Sequence, residues 1–235
     1  MRAQQLDKAL DVLVAKAATP QLLLASGHAN ARARVRPHRF FGASALRAPT
    51  GSMGKHASVL VWSSNLWNFG DGLLGPLFTV FAQRVGGNIL DVTWAWGVYL
   101  VTMGVGIIIV GHISNRVSKL HLLVTGYLLS TICTFGYLLV HSAEMLFIVQ
   151  GGLGIATALA NPTYLALFAR YSAGAGEGAA WGWADGRDKI AIGLAVFVGG
   201  FIVNRAGFEV LFVAMGVMQF AATLYLARLL FADER

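Results

Sequence analysis

The sequence is poor in charge. Asp, Glu, Lys and Arg make up only 12% of its 235 residues, whereas 56% are hydrophobic and the mean hydropathy is +0.63. A soluble domain carries roughly 25% charged residues. The deficit argues against an ordinary soluble globular domain and indicates a membrane protein.

Cysteine and catalytic motifs are also scarce. The one cysteine, Cys133, lies in an apolar run and can form no disulfide within the chain. The sequence contains no phosphate-binding loop, no nucleophile elbow and no zinc pattern, and its histidines lack metal-ligand spacing. We therefore expect neither an enzyme nor a bound metal or other cofactor, and no nucleic-acid partner.

The net charge of +7 belongs to one end of the chain. Residues 1–57 hold nine Lys and Arg against Asp7 and Asp11, whereas residues 58–235 hold nine basic and nine acidic residues. Residues 1–57 are predicted to be a basic leader, either a disordered tail or the product of a start assigned before a true start at Met53. Its Arg- and Ser-rich composition resembles a transit peptide, and residues 3–17 suit a short amphipathic helix on the membrane surface.

The body of the chain consists of long apolar runs with short polar breaks. A bilayer core of about 30 Å needs about 20 helical residues to cross. The runs are rich in Leu, Ala and Gly and do not alternate as in an outer-membrane barrel. We therefore predict an all-α membrane protein, a six-transmembrane-helix bundle over 58–231 with a cytoplasmic tail at 232–235. The predicted spans are 58–82, 92–112, 120–140, 144–169, 178–204 and 207–230.

Two segments resemble motifs of a known family. The segment "GHISNRVSKLHLL" follows the second span and "FIVQGGLG" lies in the fourth. Together with the span order they resemble the major facilitator superfamily of transporters. The matching gating-loop positions are Gly111, Asn115, Arg116 and Lys119. Asn115 replaces the aspartate of the family pattern, and Phe147 stands where the family often has an arginine, so both charges of its gating relay are absent.

The resemblance implies a particular architecture. Transporters of this family have twelve spans, in two six-span halves related by an axis along the membrane normal. The predicted bundle resembles the N-terminal half. A half-size chain of this kind is expected to act as a parallel homodimer in the lipid bilayer or to pair with a different six-span half.

Three predicted spans, the first, fourth and fifth, have polar faces. In the first, Asp71 lies at the centre of "SSNLWNFGDGLLGPLFTVF". Acids within a membrane are costly, so they are usually paired or line water. The resemblance implies that these three spans border a central cavity, where we expect Asp71 to pair with Lys189. The candidate residues for binding substrate or ion are Asn65, Asn68, Asp71, Gln150, Thr157, Asn161, Tyr164, Asp185, Asp188 and Lys189.

Simpler structural roles exist for many of these residues. The Asp71–Lys189 pair can be purely structural, and Asn65, Asn68 and Asn161 can be hydrogen-bonding residues between helices. Seven glycines are predicted close-packing positions: Gly104, Gly106, Gly151, Gly152, Gly154, Gly199 and Gly200. The tryptophans near span ends are predicted interfacial anchors: Trp94, Trp96, Trp181 and Trp183. Arg187 and His112 are expected at the membrane interface.

The function that these features favour is secondary transport of a small solute by alternating access. A non-transporting membrane scaffold or assembly factor, or a pseudo-transporter that binds a ligand and signals, are the alternatives. The expected location is the inner or plasma membrane. The site charge of three acids against Lys189 is a hint of a cation or of proton coupling.

We predict that both chain ends lie in the cytoplasm, because Arg116, Lys119, Arg170 and Arg228 fall on one side and only Arg84 and Arg205 on the other. Reporter fusions at Arg84 and Arg205 should read outside, and fusions at Lys119 and Ala173 should read inside. The reversed pattern would contradict the orientation.

Overall fold

The computed structural model describes residues 54–114, 116–172 and 177–232, with residues 177–179 and 232 described by their backbone alone. Every regular element in these ranges is helical. A one-turn 3₁₀ helix, Tyr137–Leu139, extends the fourth helix. The helices are α1 (Lys55–Gly72), α2 (Leu77–Arg84), α3 (Ile89–Ile113), α4 (Lys119–Gly136), α5 (Ala143–Tyr171) and α6 (Glu177–Ala232).

By length and composition, four helices in the described ranges suffice to cross a bilayer: Ile89–Ile113, Lys119–Leu139, Ala143–Tyr171 and Ala180–Phe231. Local sequence signals set the starts of two of them. Asn88 caps α3 by accepting from the backbone N–H groups of Leu90 and Asp91, and Asp91 accepts from the Asn88 N–H in return. Ser142 caps α5 by accepting from the N–H of Met145.

The first predicted span, 58–82, is not continuous. Helix α1 ends at Gly72 and α2 begins at Leu77, so the prediction of a single helix was wrong here. Gly75 has a φ of 26°, which a residue with a side chain rarely adopts, and Pro76 has no N–H to extend the helix. The break follows directly after Asp71, the acid at the centre of this run.

Helix α6 is also interrupted. Gly207, with φ 84° and ψ 177°, divides it into α6a (177–206) and α6b (208–232). In a straight helix, Ala195 and Met215 would lie about 30 Å apart. Instead, Ala195 packs against Gly72 and Met215 against Gly70, so the chain folds back at Gly207. The predicted loop at 205–206 is thus replaced by a break at one glycine.

The helices pack in the order α3–α5–α4–α6–α1, so neighbours in sequence are often not neighbours in space. Helix α5 contacts both α3 and α4, and α1 packs mainly on α6. Pro162 lies inside α5, which continues through it to Tyr171. Helix α3 is the most peripheral, because few of its residues are buried.

Polar side chains lie inside the bundle and large apolar ones lie outside. Ser63, Thr134, Gln150 and Gln219 are buried. The exposed outer surface includes the following apolar residues: Val101, Ile108, Ile148, Phe197 and Phe201. A soluble protein would show the opposite distribution. A bilayer stabilises this one, because hydrocarbon solvates apolar side chains and leaves polar groups to pair within the protein.

The predicted close-packing glycines divide into two groups. A methyl group on Gly106 or Gly152 would meet a neighbouring side chain within 2.6 Å, and one on Gly154 would meet the Tyr99 carbonyl oxygen at 2.7 Å. At Gly199 it would overlap the carbonyl oxygen of Leu73. The first three glycines lie at close contacts between helices, and Gly199 lies at a close contact between α6a and the turn after α1. The other three glycines do not fit the prediction of close packing. A methyl group on Gly151 would make an ordinary van der Waals contact, and one on Gly104 or Gly200 would face open space.

Gly199 and Gly200 offer a matched test of packing, since they are adjacent in one helix. Gly199→Ala should lower the free energy of unfolding by about 1–3 kcal/mol, because α6a must move away from Leu73. Gly200→Ala should leave it within about 0.5 kcal/mol of the wild type or raise it through helix propensity. Thermal unfolding in detergent measures both. Equal destabilisation would contradict the close approach.

Candidate functional site

The membrane domain contains a cavity of about 780 Å³. Its walls come from α1 to α5 and from α6a, together with the turn between α1 and α2 and the 3₁₀ helix. Among described residues, α6b contributes none of its lining. The break in α1–α2 therefore lies at the wall of the cavity, through Gly72, Leu74 and Gly75.

Nine of the ten candidate binding residues line this cavity: Asn68, Asp71, Gln150, Thr157, Asn161, Tyr164, Asp185, Asp188 and Lys189. The tenth, Asn65, does not. Its side chain is buried in the bundle and donates to the Val61 carbonyl oxygen at 2.7 Å. Asn65 thus has a local structural role, which its helical spacing from Asn68 did not reveal.

Asp71 lies in the last turn of α1 and its side chain is exposed to the cavity. Among the described residues its carboxylate has no hydrogen-bond or ion-pair partner. The predicted ion pair between Asp71 and Lys189 is not formed. Lys189 instead pairs with two acids of its own helix, Asp185 and Asp188, and these carboxylates neutralise its charge.

These acids form a chain of polar contacts. The Lys189 Nζ is 3.4 Å from Asp185 Oδ1 and 3.4 Å from Asp188 Oδ2. The Asn68 Nδ2 donates to Asp188 Oδ1 at 2.6 Å and to Ser64 Oγ at 3.3 Å. The exposed Lys189 and Asp185 side chains (65% and 69%) contribute little stability, whereas Asp188 is 16% exposed. Among the described residues, the side-chain hydrogen bond that joins α1 to α6a is the one from Asn68 to Asp188.

Helix α5 supplies a second polar wall. Gln150 is almost completely buried at the cavity surface. The Tyr99 hydroxyl of α3 donates to Thr157 Oγ1 at 3.3 Å. Asn161 is exposed, and Tyr164 stacks on Phe168 with ring centroids 6.0 Å apart. This wall offers hydroxyl and amide groups of both donor and acceptor character.

Aromatic residues other than Tyr164 were the main feature of the cavity wall that the sequence interpretation missed. Eight aromatic side chains line the cavity: Trp67, Phe78, Trp96, Tyr99, Tyr127, Tyr137, Tyr164 and Trp181. The interfacial-anchor interpretation of Trp96 and Trp181 needs correction, since both contribute to this wall. A signal existed for Trp67, because it follows Ser64 by three residues and precedes Asp71 by four, on the same helical face.

Other predicted positions lie away from the cavity. Arg187 is held between two indole rings, 4.2 Å from Trp62 and 4.3 Å from Trp183. His112 Nδ1 contacts the Ile108 carbonyl oxygen at 2.8 Å near the end of α3.

Of the gating-loop motif, Gly111 and Arg116 are exposed, and Lys119 donates to the Ser114 carbonyl oxygen at 3.4 Å. None of these three lines the cavity. Asn115 lies outside the described residues.

Comparison with known proteins adds two findings. Residues 61–235 match the family model of the Major Facilitator Superfamily. Over 174 residues the chain is 22% identical to an uncharacterized MFS-type transporter of Methanocaldococcus jannaschii. The aligned region covers 74% of this chain and 45% of that relative, so the chain spans about half the length of the protein that it matches.

The contact pattern predicts which pair of residues is energetically coupled. Asn68→Ala and Asp188→Ala should be non-additive by about 1.5–3 kcal/mol in unfolding free energy, the range for hydrogen bonds to charged groups. Asp71→Asn and Lys189→Ala should be additive within about 0.5 kcal/mol. Two double-mutant cycles on unfolding in detergent measure this. Coupling in the second cycle alone would contradict the described geometry.

Proposed function

The chain belongs to the Major Facilitator Superfamily, and from that premise we propose that it is a secondary transporter, which moves a small solute across the membrane by alternating access. The protein is a multi-pass membrane protein. Under this proposal the protein is not an enzyme, because transport leaves the solute chemically unchanged. The proposal also assigns the protein no cofactor.

One observation carries this proposal: the 780 Å³ cavity with polar groups on α1, α5 and α6a. In hydrocarbon, a polar surface that faces no partner is costly. A bundle that only had to be stable would have apolar side chains here. A cavity whose walls carry polar groups is instead suited to a solute with polar groups of its own.

We also propose that the domain crosses the membrane six times. Helix α6 has 56 residues, and a straight helix of that length would be about 84 Å long, well beyond the bilayer core of about 30 Å. Two crossings, α6a and α6b, follow from the break at Gly207. The first crossing is α1 with α2, broken in the middle beside the cavity. Broken helices at a midplane site are a known device of transporters.

The proposed assembly contains two six-span halves. The wall of the cavity formed by α1, α5 and α6a would face the equivalent wall of a second half across the translocation path. A second copy of this chain, inserted the same way round, satisfies the parallel symmetry of the fold. A different six-span half is the alternative partner, and native mass spectrometry distinguishes the two.

Gating in this protein must proceed without the charge relay of the family motifs. Phe147, at the position where an arginine is frequent, packs against the apolar core that includes Leu146 and Phe212. Because Asn115 also replaces the acid of the motif, both charges of the relay are absent, and no charge is buried without its partner. The proposed membrane is the inner or plasma membrane, with both chain ends in the cytoplasm.

Alternating access can be tested without knowing the solute. In a Cys133→Ser background, Thr157→Cys places one thiol in the cavity. A membrane-impermeant methanethiosulfonate reagent should label it from either side of sealed vesicles, because each state opens the cavity to one side. Ile155→Cys is the control, since its side chain is exposed on the same helix and does not line the cavity.

Labelling of Thr157→Cys from one side alone, or from neither, would contradict alternating access. In a scaffold or a signalling pseudo-transporter, the cavity would be open to the same side of the membrane at all times. Labelling of Ile155→Cys from both sides would show that the reagent reaches the bundle nonspecifically.

A further inference from the structure

We infer that the solute is a small organic cation, held at Asp71 in a cavity with aromatic walls. This inference rests on the proposed transport function and names the substrate class of the same cavity. Three independent features of the site support it: the excess of negative charge, the position of Asp71 on its helix and the aromatic lining.

The first feature is an excess of negative charge: three carboxylates line the cavity against the single ammonium group of Lys189, which leaves a formal charge of −2. Asp185 and Asp188 share the ammonium group of Lys189, and Asp188 also accepts from Asn68. Asp71 has no such partner among the described residues, although it lines the same cavity. A carboxylate without a partner favours a positively charged group on the ligand, because acids within a membrane are costly unless they are paired or reach water.

The second feature is the position of Asp71 at a helix end. It lies in the last turn of α1, just before the break at Leu73–Pro76. The C-terminal end of a helix carries a partial negative charge from its carbonyl groups, which favours cations. Gly72 and Gly75, on either side of the start of this break, also contribute to the cavity wall. The helix end and the carboxylate thus attract the same sign of charge.

The third feature is the aromatic part of the cavity that Asp71 lines. The Trp96 ring packs against the rings of Phe78 and Tyr99, with centroid distances of 6.1 Å and 5.3 Å. Trp67 stacks on Tyr127 at 5.0 Å. Aromatic faces attract cations that have lost their water, and quaternary ammonium groups are the ligands that such walls recognise. A strongly hydrated inorganic ion would gain less from these walls.

Other ligand classes fit this cavity less well. An anion would need a free cationic group, but Lys189 is already engaged by two carboxylates. A divalent metal would need several oxygen or nitrogen ligands, and no group of three or more His, Cys, Asp or Glu suited to a metal is found in the part of the chain that the structure describes. A neutral solute would leave Asp71 without a counter-charge.

Binding to the purified full-length protein in nanodiscs tests this inference. The probes are tetramethylammonium, choline and phenyltrimethylammonium, and isothermal titration calorimetry gives their affinities. The comparators are 3,3-dimethyl-1-butanol, in which carbon replaces the charged nitrogen of choline, and benzenesulfonate. At least one cation should bind at least about tenfold more tightly than both comparators.

Two sets of variants localise the binding. Asp71→Asn should weaken binding of that cation by at least about tenfold, whereas Asp71→Glu should restore most of it. Glu209→Gln, which removes an exposed carboxylate outside the cavity, should change nothing. Trp96→Phe should keep the affinity, and Trp96→Leu should lose it in part, because only the first retains an aromatic face. Thermal unfolding confirms that each variant is folded.

The inference is overturned if none of the three cations binds, if a comparator binds equally well, or if Asp71→Asn keeps full affinity while folded. Failure of the transport proposal would look different. Cations would then bind at Asp71 while Thr157→Cys remained accessible from one side alone. Conversely, access from both sides without cation binding would preserve transport and remove this substrate class.

Discussion

A bilayer offers no water to polar groups, and this constraint explains most of the bundle. A polar side chain buried in such a bundle is stabilised by a partner within the protein. The Thr134 hydroxyl donates to Gln219 Oε1 at 2.7 Å, and the amide of Asn68 donates to Asp188 across two helices. A cavity lined by polar and aromatic side chains lies between the helices, and the proposed function is located there.

Helix α1 packs closely against α6 on one side and lines the cavity on another. On α1, Gly70 and Gly72 let α6b and α6a approach the backbone, with Gln219 Cγ and Ala195 Cβ 3.1 Å and 3.2 Å from the added methyl positions. Residues Ser64, Trp67, Asn68 and Asp71 of the same helix line the cavity. The side of α1 that packs gives it a fixed position, and that position holds Asp71 at the cavity wall.

The two breaks, after Gly72 and at Gly207, have different consequences. The first places a helix end and a carboxylate at the cavity wall, which an unbroken span would not do. The second lets both segments of α6 pack on α1, so residues of α6 that a straight helix would separate by tens of ångströms contact neighbouring positions of α1. Both breaks occur where glycine adopts a positive φ, at Gly75 and Gly207.

Sequence patterns alone were sufficient for the helical class, the membrane environment and the polar faces, since span length and helical periodicity are local properties of the chain. They predicted nine of the residues that line the cavity, because Asp71, Gln150 and Asp188 are unusual within apolar runs. Which side chains contact one another was decided by the tertiary structure alone. Lys189 pairs within its own helix, Asn65 turns to its own backbone, and Trp96 faces the cavity. Which groups meet depends on how helices distant in sequence pack, and periodicity along one helix carries no information about its neighbours.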